Sequence, residues 1–184
     1  VSKTVTTSEN ELYLVNKETG TQTELSLPDQ KGRYGVSGFS KDNKYVFYLT
    51  DGGKEFTYLV QYDMNSGERK VLYETNWDVM YTFLSEKETY RVIAINEDGK
   101  NTIIMQDAAS GKTIDFPAIP DGDILGVEIS DSEKLMRLSV GTSKAPNNIY
   151  LYNLETKELK KLTESLNKEI NADDLVSAEV VRYK

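Results

Sequence analysis

The chain contains no histidine and no cysteine in 184 residues. Without histidine it lacks the commonest general base, the commonest metal ligand and the middle member of a Ser-His-Asp triad. Without cysteine it has no thiol nucleophile, no disulfide framework and no thiolate metal site. No run of 18 apolar residues occurs, which excludes a membrane-spanning helix. Basic residues do not cluster either. The 22 Lys and Arg face 30 Asp and Glu, a net charge of -8. KELKK (residues 157–161), the densest basic stretch, reads as a solvated strand edge, so no nucleic-acid surface is expected. The opening VSKTVTTSENELYL is no charged-then-apolar leader. Together these absences describe a soluble chain with no cofactor and no metal, and they do not choose between cytoplasm and periplasm.

What is present is repetition. Four stretches, LYLVNKETGTQTEL, LVQYDMNSGERKVL, IIMQDAASGKTIDF and YLYNLETKELKKL, align on a turn. Asn16, Asp63, Asp107 and Asn153 start it. Thr19, Ser66, Ser110 and Thr156 follow, then Gly20, Gly67, Gly111 and Lys157, and five residues later Leu25, Leu72, Phe116 and Leu162. Asx and Ser/Thr side chains accept bonds from backbone a few residues on, and Gly takes the positive φ that closes a bulged hairpin. Lys157 departs from the glycine pattern at a cost of roughly 1 kcal/mol. A second landmark, Ser40, Ser85 and Ser130, recurs every 45 residues, each serine followed by a charged turn and an apolar run.

The unit is therefore about 45 residues long and holds four strands. In the second unit they fall at about 34–39, 44–50, 56–62 and 68–74. The third unit runs from about 79 to 116 and the fourth from 124 to 162. The first is incomplete, with strands near 2–6, 11–15 and 21–26. Middle strands such as YVFYLT, RVIAI and IYLY are apolar on both faces, whereas last strands alternate or are charged. Continuous apolar runs mean both faces are covered. Radially stacked blades meet that demand and a two-layer sandwich does not. The fold class is accordingly all-β: a partial β-propeller of about three and a half four-stranded antiparallel blades. A partial blade spans 1–27, full blades span 33–75, 76–118 and 122–163, and residues 164–184 form an exit linker and strand toward a further C-terminal domain. Three and a half blades cannot close a ring, so the open blade faces invite pairing into a homo-oligomer.

YVFYLTDGGKEFTYLVQYDMNSGERKVLYE (residues 45–74), ISDSEKLMRLSV and NNIYLYNLETKELKKLTES resemble the propeller of prolyl-oligopeptidase-family serine peptidases, especially the acylaminoacyl-peptidase-like branch. The ending LTESLNKEINADDLVSAEVVRYK is similar to the segment that enters the peptidase domain, with VVRYK as its first strand. The resemblance implies a propeller that caps an α/β-hydrolase domain of the same parent chain and restricts access to short peptides. No catalytic residue carries over to this chain. GVSGF (residues 35–39) comes nearest to a G-x-S-x-G elbow, but its second glycine follows the serine directly and it lies on an expected strand. The periplasmic propeller of the Tol system has similar blades and remains the alternative, a stand-alone protein-binding scaffold.

Other candidate sites have plainer readings. NEDGKN (residues 96–101) and PDGD (residues 120–123) gather oxygens around a glycine but lack calcium-loop spacing, and Asp-Gly is the dipeptide of a tight hairpin. NADD (residues 171–174) reads as a linker or helix cap. Trp77 reads as packing at a blade junction, and Tyr58, Tyr62, Tyr150 and Tyr152 as strand aromatics. Arg33 and Tyr34 open an innermost strand, whose start faces a propeller's channel, and are the expected substrate-facing residues.

Overall fold

The computed structural model describes residues 1–119, 122–176 and 178–183. Its strands are β1 (Ser2–Thr4), β2 (Asn10–Val15), β3 (Gln22–Glu24), β4 (Tyr34–Phe39), β5 (Tyr45–Thr50), β6 (Tyr58–Asp63), β7 (Arg69–Tyr73), β8 (Asp78–Leu84), β9 (Tyr90–Glu97), β10 (Lys100–Asp107), β11 (Thr113–Ile114), β12 (Asp123–Ile129), β13 (Leu135–Thr142), β14 (Ala145–Asn153) and β15 (Leu159–Lys161). They form one three-stranded sheet, β1-β2-β3, and three four-stranded sheets, β4-β5-β6-β7, β11-β10-β9-β8 and β12-β13-β14-β15. Each is a meander of consecutive strands. The all-β, blade-by-blade reading of the sequence is what the structure shows, incomplete first unit included. Two compact units divide the chain, one of Val1–Phe83 with Ile93–Ile95, the other of Leu84–Val92 with Asn96–Lys184.

Two recurring turns shape each four-stranded blade, and the second of them recurs in the three-stranded sheet. In the first, the serine hydroxyl accepts the backbone N–H five residues on: Tyr45 to Ser40 at 2.9 Å, Tyr90 to Ser85 at 2.9 Å and Leu135 to Ser130 at 3.2 Å. The residue three after each serine, Asn43, Glu88 or Glu133, takes a positive φ of 55, 59 or 60°. In the second, the Asx side chain accepts the N–H groups at the tip of the turn, as Asp63 Oδ1 does from Asn65 and Ser66 at 2.8 and 3.0 Å. Asn16, Asp107 and Asn153 act alike. Gly20, Gly67 and Gly111 have φ of 73, 75 and 72°, and Lys157 adopts the same conformation at 63° despite its Cβ. The two turns meet. Met64, Ala108 and Leu154 donate their N–H groups to the carbonyls of Lys44, Thr89 and Lys134 at 2.8, 2.9 and 2.9 Å, so each four-stranded blade is cross-bonded at that end.

Burial follows the gradient read from the sequence. Val46, Phe47 and Tyr48 on β5 and Val92, Ile93 and Ala94 on β9 are consecutive buried residues, the mark of strands covered on both faces. The fourth strands are exposed and shorter than expected, down to the two residues of β11, because an outer strand has one neighbour to hold it. In the first unit, Leu12 and Leu25 pack with Tyr34, Val46, Tyr48, Tyr58, Val60 and Tyr62. The third strand of the second blade begins at Tyr58 and not Phe56. Thr57 instead bonds forward, its N–H to Asp78 Oδ1 at 2.9 Å and its carbonyl to Val79 N–H at 3.0 Å.

Asp98 (φ 52°) and Gly99 (φ 76°) join β9 to β10 as a two-residue hairpin, which accounts for NEDGKN. For PDGD, Pro120 and Asp121 lie outside the described residues. A 3-10 turn at Ala172–Asp174 is capped by Asn171 Oδ1, which accepts the Asp173 N–H at 3.2 Å. Residues 180–183 are not in a strand here, since no neighbouring strand pairs with them. Lys184 lies outside the described residues.

Lys157→Gly is expected to stabilise the chain by about 1 kcal/mol and Gly67→Ala to destabilise it by about the same, because both turns need the left-handed region. Denaturant midpoints compared at constant m-value check this. Equal midpoints for all three proteins would mean that the turn conformation is unstrained.

Candidate functional site

Antiparallel meanders put alternate connections at opposite ends. The cross-bonded serine and Asx turns occupy one end of each blade. The opposite end carries the turns from second to third strand, 51–57, 98–99 and 143–144, with the connectors from one blade to the next. A cleft in each of the two compact units lies at this second end.

In the first unit, Asp51 organises the loop. Its Oδ1 accepts the Arg33 N–H at 2.6 Å, and its carbonyl accepts the Lys54 N–H at 2.9 Å. The approach is close: a Cβ on Gly32 would lie 2.3 Å from Asp51 Oδ1, and one on Gly52 would lie 2.4 Å from the Tyr34 hydroxyl. Only glycine fits at either position. Tyr58 donates its hydroxyl to the Gly52 carbonyl at 3.0 Å, while Lys54 Nζ sits 4.5 Å from the Tyr58 ring centroid and pairs with Glu74. Lys54, Phe56, Tyr58, Glu74 and Asn76 line a cleft of about 380 Å³. Phe56 and Trp77 are tilted ring neighbours at 6.4 Å, so the single tryptophan packs at the start of the third blade.

Arg33 and Tyr34 are placed differently. Arg33 is exposed, its guanidinium donating to the Thr7 carbonyl at 3.0 Å. Tyr34 is 5% exposed, its ring 6.1 Å from that of Tyr48. The Tyr34 hydroxyl donates to the Gln30 carbonyl at 2.5 Å, and its backbone N–H and carbonyl are both bonded by the Asn10 side chain at 2.8 Å. Neighbours on a strand point to opposite faces, so one residue of the pair meets solvent and the other joins the core. Burial drives the Tyr48 hydroxyl up to about 12 against the smaller opposing pull of Arg69, and it drives the Tyr58 hydroxyl up as well.

In the second unit, a cavity of about 590 Å³ lies at the same end of the blades. Lys100, Asp123, Leu125, Gly141, Lys144 and Asn147 are among its lining. The exit segment leaves past it. Asn148, 3% exposed, uses Oδ1 to accept the Ser165 N–H at 3.0 Å and the Thr163 hydroxyl at 3.1 Å, and the Ala178 N–H bonds to Ser143 Oγ at 3.0 Å. Arg182 pairs with Asp98. At the far end, the Glu133 carboxylate accepts the Lys87 N–H at 2.7 Å. Burial alone would raise its pKa, but hydrogen bonds from Ser85, Thr89 and the Lys87 backbone outweigh that and hold it low. Sequence reasoning met Lys100 only within NEDGKN, and it passed over Lys144 and Asn148. One signal was available for Lys144: it and Lys54 stand two repeats apart at the same position of the second-to-third turn.

Residues 1–165 match the family model described as the prolyl oligopeptidase N-terminal beta-propeller domain. The chain belongs to that family. Solved structures share its fold. Apo prolyl oligopeptidase B from Galerina marginata is 16% identical over 92% of this chain and 25% of its own, at a TM-score of 0.71. TolB from Acinetobacter baumannii is 17% identical over 84% of this chain and 38% of its own, at 0.58. Oligogalacturonate lyase from Vibrio parahaemolyticus is 13% identical over 84% and 46%, at 0.62. The chain thus spans about a quarter of the prolyl oligopeptidase and less than half of the other two. No curated protein matches it. At these identities the structural likeness concerns the fold alone.

The raised Tyr48 pKa predicts an alkaline signature. Its hydroxyl holds its proton more tightly folded than unfolded, so the stability it contributes is complete below pH 10 and is lost as pH rises toward 12. Thermal melts of the parent chain should fall more steeply across that window than melts of Tyr48→Phe. Parallel curves would contradict the assignment.

Proposed function

We propose that this chain is the non-catalytic propeller segment of a serine oligopeptidase, supporting a C-terminal α/β-hydrolase domain of the same parent chain and limiting access to short peptides. The observation that carries the reading is the family match over residues 1–165 in a chain without histidine. Hydrolysis by a Ser-His-Asp triad needs a histidine base that this segment cannot supply. The course of the exit segment supports it. Asn148, Ser143 and Asp98 hold Ser165, Ala178 and Arg182 at the end that carries the second-to-third strand turns, so a following domain would meet that end and not the cross-bonded one. Arg33, exposed at the start of β4, is the substrate-facing candidate, and Tyr34 fixes its backbone from within the core. A protein-binding scaffold of the TolB kind is the second reading, favoured by the shared fold at a TM-score of 0.58.

The reading frame beyond Lys184 separates the two. The peptidase reading expects a strand, a G-x-S-x-G elbow and a later histidine; a stop codon there overturns it. In the parent enzyme, Arg33→Ala should raise KM several-fold with kcat unchanged, the signature of lost ground-state binding. An unchanged KM would remove Arg33 from the substrate path.

A further inference from the structure

The cavity of the second unit carries more than its position. We propose that it binds the C-terminal end of a short peptide, with an apolar last side chain against Leu125 and Ile119 and the terminal carboxylate at Lys100 and Lys144. This rests on the peptidase reading for its biological substrate, and on the cavity itself for its chemistry.

The apolar side is built by two bulges. Pairing of β12 with β13 shifts register between Ile124 and Gly126, and pairing of β13 with β14 shifts between Val140 and Thr142. Leu125 is the extra residue of the first shift, and at the second Gly141 stands opposite two residues of β14, Pro146 and Asn147; Leu125, Gly141 and Asn147 all line the cavity. A bulge re-aims the side chain of its extra residue, and Leu125, 46% exposed, is an apolar side chain set at the cavity wall and not in the sheet. Gly141 leaves it room: a Cβ there would lie 2.6 Å from Asn147 Oδ1 and 3.2 Å from Leu125 Cδ1. Two irregularities converging on one cavity are the means by which a regular sheet makes a pocket.

The polar side is cationic in an acidic chain. Lys144 lies in the second-to-third turn of the fourth blade and Lys100 opens β10 directly after that of the third; both line the cavity, and neither is in a salt bridge among the described residues. The one carboxylate in the lining, Asp123, already accepts the Asn101 N–H at 2.7 Å. Two free ammonium groups beside an apolar wall match a free carboxylate attached to an apolar residue. At about 590 Å³ the cavity falls within the roughly 300–1,000 Å³ of small-ligand sites, enough for a few residues and not for a folded chain.

Acetyl-Ala-Ala-Leu as the free acid and as the C-terminal amide are the probes, titrated into the whole chain and followed by amide chemical shifts. The acid should move the signals of residues 99–101 and 141–144 and bind about tenfold more tightly than the amide. Lys100→Ala and Lys144→Ala should each bring the acid's affinity toward that of the amide and leave the amide's unchanged. Equal affinity for acid and amide, indifference to both substitutions, or no shift at these residues at millimolar acid would each overturn the proposal. None of these results bears on the reading frame, so the site and the peptidase reading fail separately.

Discussion

Capture of a backbone N–H by a side-chain oxygen two to five residues away is the interaction on which the rest of the structure depends. Serine does it at the first turn of each full blade and Asn or Asp at the second. Each capture holds one residue in the left-handed region and sets the register of the strands it joins. Because the two turns of a blade then exchange a further backbone bond, from Met64 to Lys44 and from its counterparts, the loops at that end are satisfied internally.

The opposite end is where the repeat is broken. The second blade inserts the Asp51–Lys54 loop, sealed by Tyr34 and Tyr58; the third uses a bare Asp-Gly hairpin; the fourth uses Ser143 and Lys144 between bulged strands. These three solutions to one connection leave clefts of different size and charge. A fold of this kind fixes its scaffold with repeated residues and varies its surface with unrepeated ones: Lys144 is on a second-to-third turn, Lys100 opens β10 directly after one, and Arg33 is on the connector before β4.

The turns were legible in the sequence because their chemistry is local: Asx, Ser and Gly at fixed offsets define a hairpin without help from the rest of the chain. The gradient from apolar middle strands to charged outer strands was legible for the same reason that burial is, since Val92, Ile93 and Ala94 in succession require cover on both faces. Contacts between residues far apart in the chain were not. Nothing near Glu133 announces that it will accept the Lys87 N–H, and NNIYLY reads as plain strand although Asn148 holds Thr163 and Ser165. The register shifts at Leu125 and opposite Gly141 are equally silent, because a register shift belongs to two strands and is written in neither. That Arg33 is exposed while Tyr34 is buried follows from something simpler, the alternation that sends adjacent side chains to opposite faces.

If the cross-bonded turns are what hold each blade in register, their linking amides must be among the last to open. Native-state hydrogen exchange measures this directly at Met64, Ala108 and Leu154. The account predicts that all three exchange as slowly as core-strand amides such as those of β5 and β9. Exchange at those three positions as fast as in an unstructured peptide would contradict it.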